Sequence, residues 1–217
     1  MNILRPDSLV FPNLQSANRE GLLALGGDLS VPRLLLAYRS GIFPWTDEPL
    51  TWWSPDPRAV FELERFRPPE RLKSKLRNSP FQITIDHAFA SVIHACADPA
   101  PGRESTWISP RFIDAYIELH RAGHAHSVEV WQEDRLVGGV YGVAIAGFFA
   151  GESMFHRVSD ASKIALCYLM EYLRVRQFEL FDTQVLSPLT ARLGAIEIRR
   201  RDYLERLASA LRKPARF

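Results

Sequence analysis

From residue 81 onward the spacing of apolar positions switches between a period of two and a period of 3.6, and that switching predicts most of the chain. Residues 81–85 (FQITI) and 126–131 (HSVEVW) alternate and are rich in β-branched side chains, so each predicts a strand. Residues 136–145 and 147–150 predict two more, joined near Ala146 and Gly147. Residues 178–181 (FELF), running on through Asp182 to Val185, predict another, and 195–198 a last one. Helices fall between them. Asp86 is placed to cap a helix over 87–97. Ser109-Pro110 opens a helix over 110–122, with proline at its first position and Gly123 past its end. Ser159 or Asp160 caps a long helix to about Arg176, whose buried side is Ile164, Leu166, Cys167, Leu169, Met170 and Leu173. Ser187-Pro188 opens a short helix that stops at Gly194, and 201–211 predicts the last helix.

Residues 1–58 read differently. Prolines and glycines at 6, 12, 21, 26, 27, 32, 41, 44, 49, 55 and 57 break any long element. One helix is predicted there, capped by Asp28 or Ser30, with Leu34, Leu35 and Tyr38 as its apolar stripe and Gly41 as its stop. The aromatic residues Phe43, Trp45, Trp52 and Trp53 follow. Residues 1–58 are therefore expected to form a small N-terminal domain and 59–217 the main one, with a basic linker at 64–77 that includes a short helix over 71–77. The order from residue 81 is β, α, α, β, β, β, α, β, α, β, α, which makes the fold α+β. It matches the element order of a GCN5-related N-acyltransferase-like domain, a likeness of fold that by itself says little about activity.

Composition narrows this reading without redirecting it. The 217 residues are 47% hydrophobic and 24% charged, ordinary for a globular domain and against disorder or low complexity. Two cysteines, Cys96 and Cys167, form no CxxC and no Cys/His set of zinc spacing, so no metal is expected. His120, His124 and His126 lack an HExxH pattern, and His120 and His124 are expected to help end a helix. The N-terminus has no signal-peptide pattern, and the longest apolar stretch, 136–151, is too short to span a bilayer. A cytoplasmic protein with no membrane partner is expected, and a monomer.

Charge changes the picture more. The net charge is +2, yet residues 64–77 carry +4 and 192–217 carry +5, leaving −7 on the rest. Two basic islands on an acidic body suit contact with a phosphate backbone, although solvated helix faces account for them as well.

Candidate chemistry gathers at two places. Asp182 and Gln184 stand two apart on a predicted strand, so they share a face. A carboxylate beside an amide suits proton removal from an amine and positioning of the reacting group, and ordinary strand-end hydrogen bonding is the plainer alternative. Glu152 lies in Gly151-Glu152-Ser153-Met154-Phe155, an acid among apolar residues and so paired or perturbed. That segment lacks the final glycine of a GxSxG elbow, which disfavours a serine hydrolase. Met154, Phe149 and Val140 line an apolar pocket or simply fill the core. Trp45, Trp52, Trp53 and Trp107 either stack bases or pack one domain on the other.

Taken together, GLLALGGDLS (21–30), GIFPW (41–45), WWSPDPRAV (52–60), TWIS (106–109), GHAHSVEVW (123–131), LVGGVYGVA (136–144), GESMF (151–155), ASK (161–163), DTQVL (182–186) and LGA (193–195) resemble the bacterial leucyl/phenylalanyl-tRNA–protein transferases over nearly the whole chain. The resemblance implies transfer of Leu, Phe and, less well, Met from aminoacyl-tRNA to proteins whose N-terminal residue is Arg or Lys, marking them for degradation. It implies no metal and no coenzyme A. Asp182 and Gln184 fall on the family's catalytic Asp and Gln, with Thr183 where Cys is usual. Val140, Phe149 and Met154 fall on the aminoacyl pocket, Val140 where Met is frequent. Glu152 matches the site acid, and Trp45 and Trp107 match the aromatics near the terminal adenosine. Two rivals stand beside this: a coenzyme A-dependent acetyltransferase, disfavoured because the turn 157–162 has no glycine to cradle a pyrophosphate, and a non-catalytic tRNA-binding module, disfavoured by the Asp182–Gln184 pair.

Overall fold

The computed structural model describes residues 2–78, 80–99 and 106–217. A small sheet comes first in the chain. It contains β1 (Asn2–Leu4), β2 (Leu22–Gly26), β3 (Phe43–Asp47) and β4 (Leu50–Trp53) in the order β1-β2-β4-β3. Helix α1 (Val31–Arg39) packs on it through Leu34, Ala37 and Tyr38. Ser30 precedes the first turn and Pro32 lies within it, as predicted. The four strands escaped the sequence reading because each is only three to five residues long and bounded by glycine or proline. Trp52 is core: its ring is buried against Phe11, and its Nε1 donates to the Gly26 carbonyl at 2.9 Å.

The larger sheet runs β11-β5-β10-β9-β8-β7-β6. Its strands are β5 (Arg58–Phe61), β6 (Gln82–Ile85), β7 (Ala125–Gln132), β8 (Arg135–Ile145), β9 (Phe148–His156), β10 (Leu180–Gln184) and β11 (Ile196–Ile198). All neighbours are antiparallel except β9 and β10. The helices are α2 (Glu70–Asn78), α3 (Phe89–Ala97), α4 (Pro110–Arg121), α5 (Ala161–Val175), α6 (Pro188–Arg192) and α7 (Arg200–Ala210). From residue 82 the element order is the predicted α+β one. β5 is the exception to the linear reading: a strand from the N-terminal end of the chain inserts between β10 and β11, and Arg58 already stands in it.

Side-chain alternation sorts the core into two layers. Tyr141, Val143, Ile145, Phe148, Ala150 and Leu180 face α1, α3, α4, α7 and the small sheet. Val128, Val130, Val140, Ala144, Phe149 and Phe181 face α5 and Leu72 of α2. One sequence expectation fails locally. Asp86 does not cap α3, because it has a positive φ of 56° and its carboxylate takes the Ser127 N–H and the His126 ring instead. Among the described residues no helix is long and apolar enough to cross a membrane.

Arg58 joins the two sheets. It is 1% exposed and lies between the rings of Phe43 and Tyr203, at 4.7 and 4.6 Å from their centroids. Its Nε and Nη2 donate to Oδ1 and Oδ2 of Asp182 at 2.9 and 2.6 Å, and Nη1 donates to the Gly41 carbonyl at 3.1 Å. Burial opposes its charge, but the facing carboxylate outweighs that and holds its pKa above the usual arginine range. Tyr203 of α7 donates to the same Oδ2 at 2.8 Å. Gly41 turns at φ 74°, and a Cβ there would come within 2.8 Å of Leu204, so only glycine presents its carbonyl here.

Removing one partner of such a pair leaves a buried charge uncompensated, which typically costs about 3–5 kcal/mol. Arg58→Leu is therefore expected to lower the urea midpoint far more than Arg58→Leu combined with Asp182→Leu. Equal losses in the two variants would contradict the pairing.

Candidate active site

The site opens where β9 and β10 part. Their parallel pairing ends at Ala150↔Asp182. Beyond that point each strand departs from its antiparallel neighbour's register: β9 against β8 between Gly151 and Ser153, and β10 against β5 between Asp182 and Gln184. An extra residue in one strand re-aims the side chains around it. In β9 the extra residue is Glu152, so Glu152 and Phe155 turn towards the tyrosine-rich layer while Met154 turns to the other with Phe149. In β10 Gln184 takes a left-handed φ of 64°, held by the Asp182 carboxylate, which accepts its N–H at 2.8 Å.

Two cavities meet across this gap. One, of about 210 Å³, is lined on its apolar side by Phe61, Val140, Met154, Leu166 and Phe181, with Glu152 and Thr183 at its wall. The other, of about 140 Å³, is lined by Phe43, Pro44, Trp45, Trp107, Gln184 and Val185, and it shares Thr183 and Val185 with the first. The Gln184 Nε2 donates to the Glu152 Oε1 at 2.8 Å, so one hydrogen bond links the two cavities. Gly151 is confined here: a Cβ on it would lie 2.8 Å from the Phe181 ring that walls the apolar cavity.

Glu152 is half-buried and crowded with donors. Tyr38 and Tyr116 donate to its two oxygens at 2.8 and 3.1 Å, and their hydroxyls are also bonded to each other. Three contacts among two hydroxyls and one carboxyl need three protons, and the hydroxyls supply two. In the protonated form of Glu152 its own O–H supplies the third, and the Tyr116 hydroxyl then accepts from it. Electrostatics agree: burial raises the pKa, the tyrosine hydrogen bonds lower it, Asp182 raises it and Gln184 lowers it, leaving it at about 7 rather than 4.5. Burial, reinforced by the charge of Glu152, pushes both tyrosines well above their usual range.

Most residues singled out from sequence converge. Glu152, Gln184, Val140, Met154, Trp45 and Trp107 all line the paired cavities. Phe149 does not. It is fully buried behind the wall, with its ring against Phe181 and Phe217, because it sits three residues before the bulge and points into the α5 layer. Asp182 is at the site but faces neither cavity. It is 0% exposed and both its oxygens are taken by Arg58, Tyr203 and the Gln184 N–H, so an incoming amine does not meet it directly. Sequence reasoning missed Arg58, Tyr38, Tyr116 and Tyr203. Arg58 lies inside WWSPDPRAV, where a lone arginine next to an apolar run is the available signal of a buried pair.

At the start of α5, the buried Asp160 carboxylate accepts from Lys75 and Lys163, both at 2.7 Å, and from Arg71 at 2.5 Å, which holds its pKa far below the usual carboxylate range. Both cysteines are free and buried. Among the described residues no three His, Cys, Asp or Glu side chains are grouped to hold a metal.

Residues 60–208 match the family model described as leucyl/phenylalanyl-tRNA protein transferase, and residues 27–56 match the model of that protein's N-terminal domain. The chain is 49% identical over 218 residues to the leucyl/phenylalanyl-tRNA–protein transferase of Oleidesulfovibrio alaskensis, covering 97% of this chain and 88% of that one. It is 50% identical over 216 residues to that of Klebsiella pneumoniae subsp. pneumoniae, covering 97% and 92%. Among solved structures, L-PGS from Bacillus licheniformis aligns with a TM-score of 0.43 at 11% identity, over 81% of this chain and 60% of that one.

The Glu152 shift has a sign that can be measured. The unfolded carboxyl ionises near 4.5 and the folded one near 7, so between these values the folded state holds the extra proton and stability falls as pH rises. The loss is on the order of 3 kcal/mol across that window. Glu152→Gln removes it. Urea midpoints are expected to fall less between pH 5 and pH 8 for the variant than for wild type; equal slopes would contradict the assignment.

Proposed function

The chain belongs to the leucyl/phenylalanyl-tRNA–protein transferase family, and we propose that it moves Leu, Phe and, less well, Met from aminoacyl-tRNA to the α-amino group of proteins that begin with Arg or Lys, marking them for degradation. The observation that carries this reading is an apolar cavity set beside a second cavity lined by Trp45 and Trp107, the two sharing Thr183 and Val185 and bridged by the Glu152–Gln184 hydrogen bond.

In this reading the aminoacyl side chain enters the apolar cavity and the terminal adenosine lies against the two tryptophans, which bring π-faces to a base without reading its sequence. The ester carbonyl then reaches the junction. The acceptor arrives as an ammonium, and Glu152 takes a proton from it. A base with a pKa of about 7 is half ionised at neutral pH and matched to that task. The amine nitrogen attacks the carbonyl carbon, the C–N bond forms and the C–O bond to the ribose breaks. The ribose oxygen leaves with the proton returned from Glu152, and the second proton of the attacking nitrogen passes to solvent. The ester is already activated, so the step balances without another reagent. Gln184 orients Glu152 through its side-chain amide. Asp182 acts through Gln184, whose backbone it fixes.

Leu and Phe share an unbranched Cβ. An extra methylene in an apolar pocket changes binding by only about 1–3 kcal/mol, so rejection of Val and Ile must be steric at Cβ. The two basic islands hold the tRNA body through phosphates. A coenzyme A-dependent reaction fits poorly. Its pyrophosphate would need the start of α5, where the Asp160 carboxylate already sits among the three cations.

The test is incubation with Phe-tRNA or Leu-tRNA and a peptide beginning with Arg. Labelled Phe or Leu is expected on that peptide and not on one beginning with Glu, and no transfer from either tRNA would defeat the reading. Glu152→Gln is expected to slow the chemical step by ~10²–10⁴-fold, although the protein gains stability at pH 8. Val140→Trp fills the apolar cavity and is expected to reduce Phe transfer; unchanged Phe transfer would remove Val140 from the pocket.

A further inference from the structure

One sizeable cavity lies away from the active site. It is a cleft of about 520 Å³ at the hairpin between β8 and β9, lined by Ala144–Ala146 and by the side chains of Arg39, His124, His126 and Arg216. Along β8 it lies five residues beyond Val140, roughly 17 Å from the aminoacyl cavity at ~3.4 Å per residue. No acidic side chain lines it. Arg39 and Arg216 are exposed, and neither has an ion pair or hydrogen bond among the described residues. Several other cations are held by carboxylates: Arg71, Lys75 and Lys163 by Asp160, Arg174 by Glu171, Arg206 by Glu62. Here two guanidinium groups without an acidic partner converge on one concave surface.

The cleft is built rather than incidental. Phe217 anchors the tail that carries Arg216: its ring stacks on His126 at 4.2 Å and packs on Tyr172 at 5.0 Å. The Gly147 N–H bonds the Ala210 carbonyl at 3.0 Å, which fixes the end of α7 beside the hairpin. Asp86 holds His126 through Nδ1 at 2.7 Å, leaving Nε2 without a partner among the described residues. The positive potential is felt at His124, whose pKa is lowered by partial burial and then by Arg39 and His126. A second recess shares Ala215 and Arg216 with the cleft and adds Arg176 and Lys213.

We propose that this cleft binds phosphates of an RNA backbone, gripping the body of the donor tRNA at a distance from its aminoacylated end. Guanidinium groups suit this ligand because their planar fork matches two phosphate oxygens. The contact carries no sequence information. It supplies affinity and register, so that the aminoacyl end enters its cavity already oriented. The proposal rests on the aminoacyl-tRNA reading above and adds to it a second point of attachment.

The test compares wild type with the double variant Arg39→Gln, Arg216→Gln, both at exposed positions. Two donors are used: Phe-tRNA and phenylalanyl-adenosine, which has the reacting end but no phosphates. Direct binding of uncharged tRNA is measured in parallel over a salt series. The expected result is a Kd for tRNA raised about tenfold, with the slope of log Kd against log salt reduced by about two. The KM for Phe-tRNA rises with it, and transfer from phenylalanyl-adenosine is unchanged. Unchanged tRNA binding would overturn the proposal. So would equal losses with both donors, which would indicate damage to the fold, and so would a rise in KM confined to acidic acceptor proteins, which would assign the cleft to a protein segment. Absence of transfer by wild type with either donor would count against the proposed reaction alone, because tRNA binding still reads the cleft.

Discussion

A guanidinium and a carboxylate buried together are costly unless each fills the other's hydrogen-bonding capacity, and Arg58 with Asp182 do so across three parts of the chain. Arg58 comes from the strand that follows the small sheet, Asp182 from the strand at the site, and Tyr203 from α7; the Gly41 carbonyl adds the turn after α1. The pair therefore sets where the Trp45 side of the site stands relative to the Glu152 side. It also fixes Gln184, because the Asp182 oxygen that receives Arg58 Nε also receives the Gln184 N–H. A buried carboxylate thus sets the geometry of the residues that line the two cavities.

The second constraint is on Glu152. A bulge places an acid beneath two tyrosines and one amide, half-buried, where three hydrogen-bond donors and partial desolvation act in opposite directions. The balance falls near neutrality. The burial that raises the pKa also makes the ionised form expensive to hold in the fold. Activity and stability are therefore expected to pull apart at this residue, as is common where a site stores an unfavourable charge.

Much of the larger sheet was legible because 126–131 alternates, 136–145 is a continuous apolar run of strand length, and 161–175 buries one side. The small sheet was not, because three- to five-residue strands between glycines and prolines carry too few positions to show a period. The insertion of β5 was also invisible, since its partners β10 and β11 lie more than a hundred residues away. At the site, the motif segments marked Glu152, Gln184, Val140, Met154, Trp45 and Trp107, all of which line the cavities. Phe149 and Asp182 were placed on the right strands with the wrong surroundings. Alternation counts residues and does not see a bulge, and a carboxylate's buried partner on a distant strand leaves no local trace.

The central claim is that Glu152 is a neutral-range acid held by the Tyr38, Tyr116 and Gln184 donors. The most direct measurement is the titration of its side-chain carboxyl, followed by its carbon-13 resonance with wild type and Tyr38→Phe side by side. The account predicts a midpoint of about 7 in wild type, moved upward in Tyr38→Phe because a hydrogen bond to the ionised form has been lost. A wild-type midpoint near 4.5, or one that Tyr38→Phe leaves in place, would contradict it.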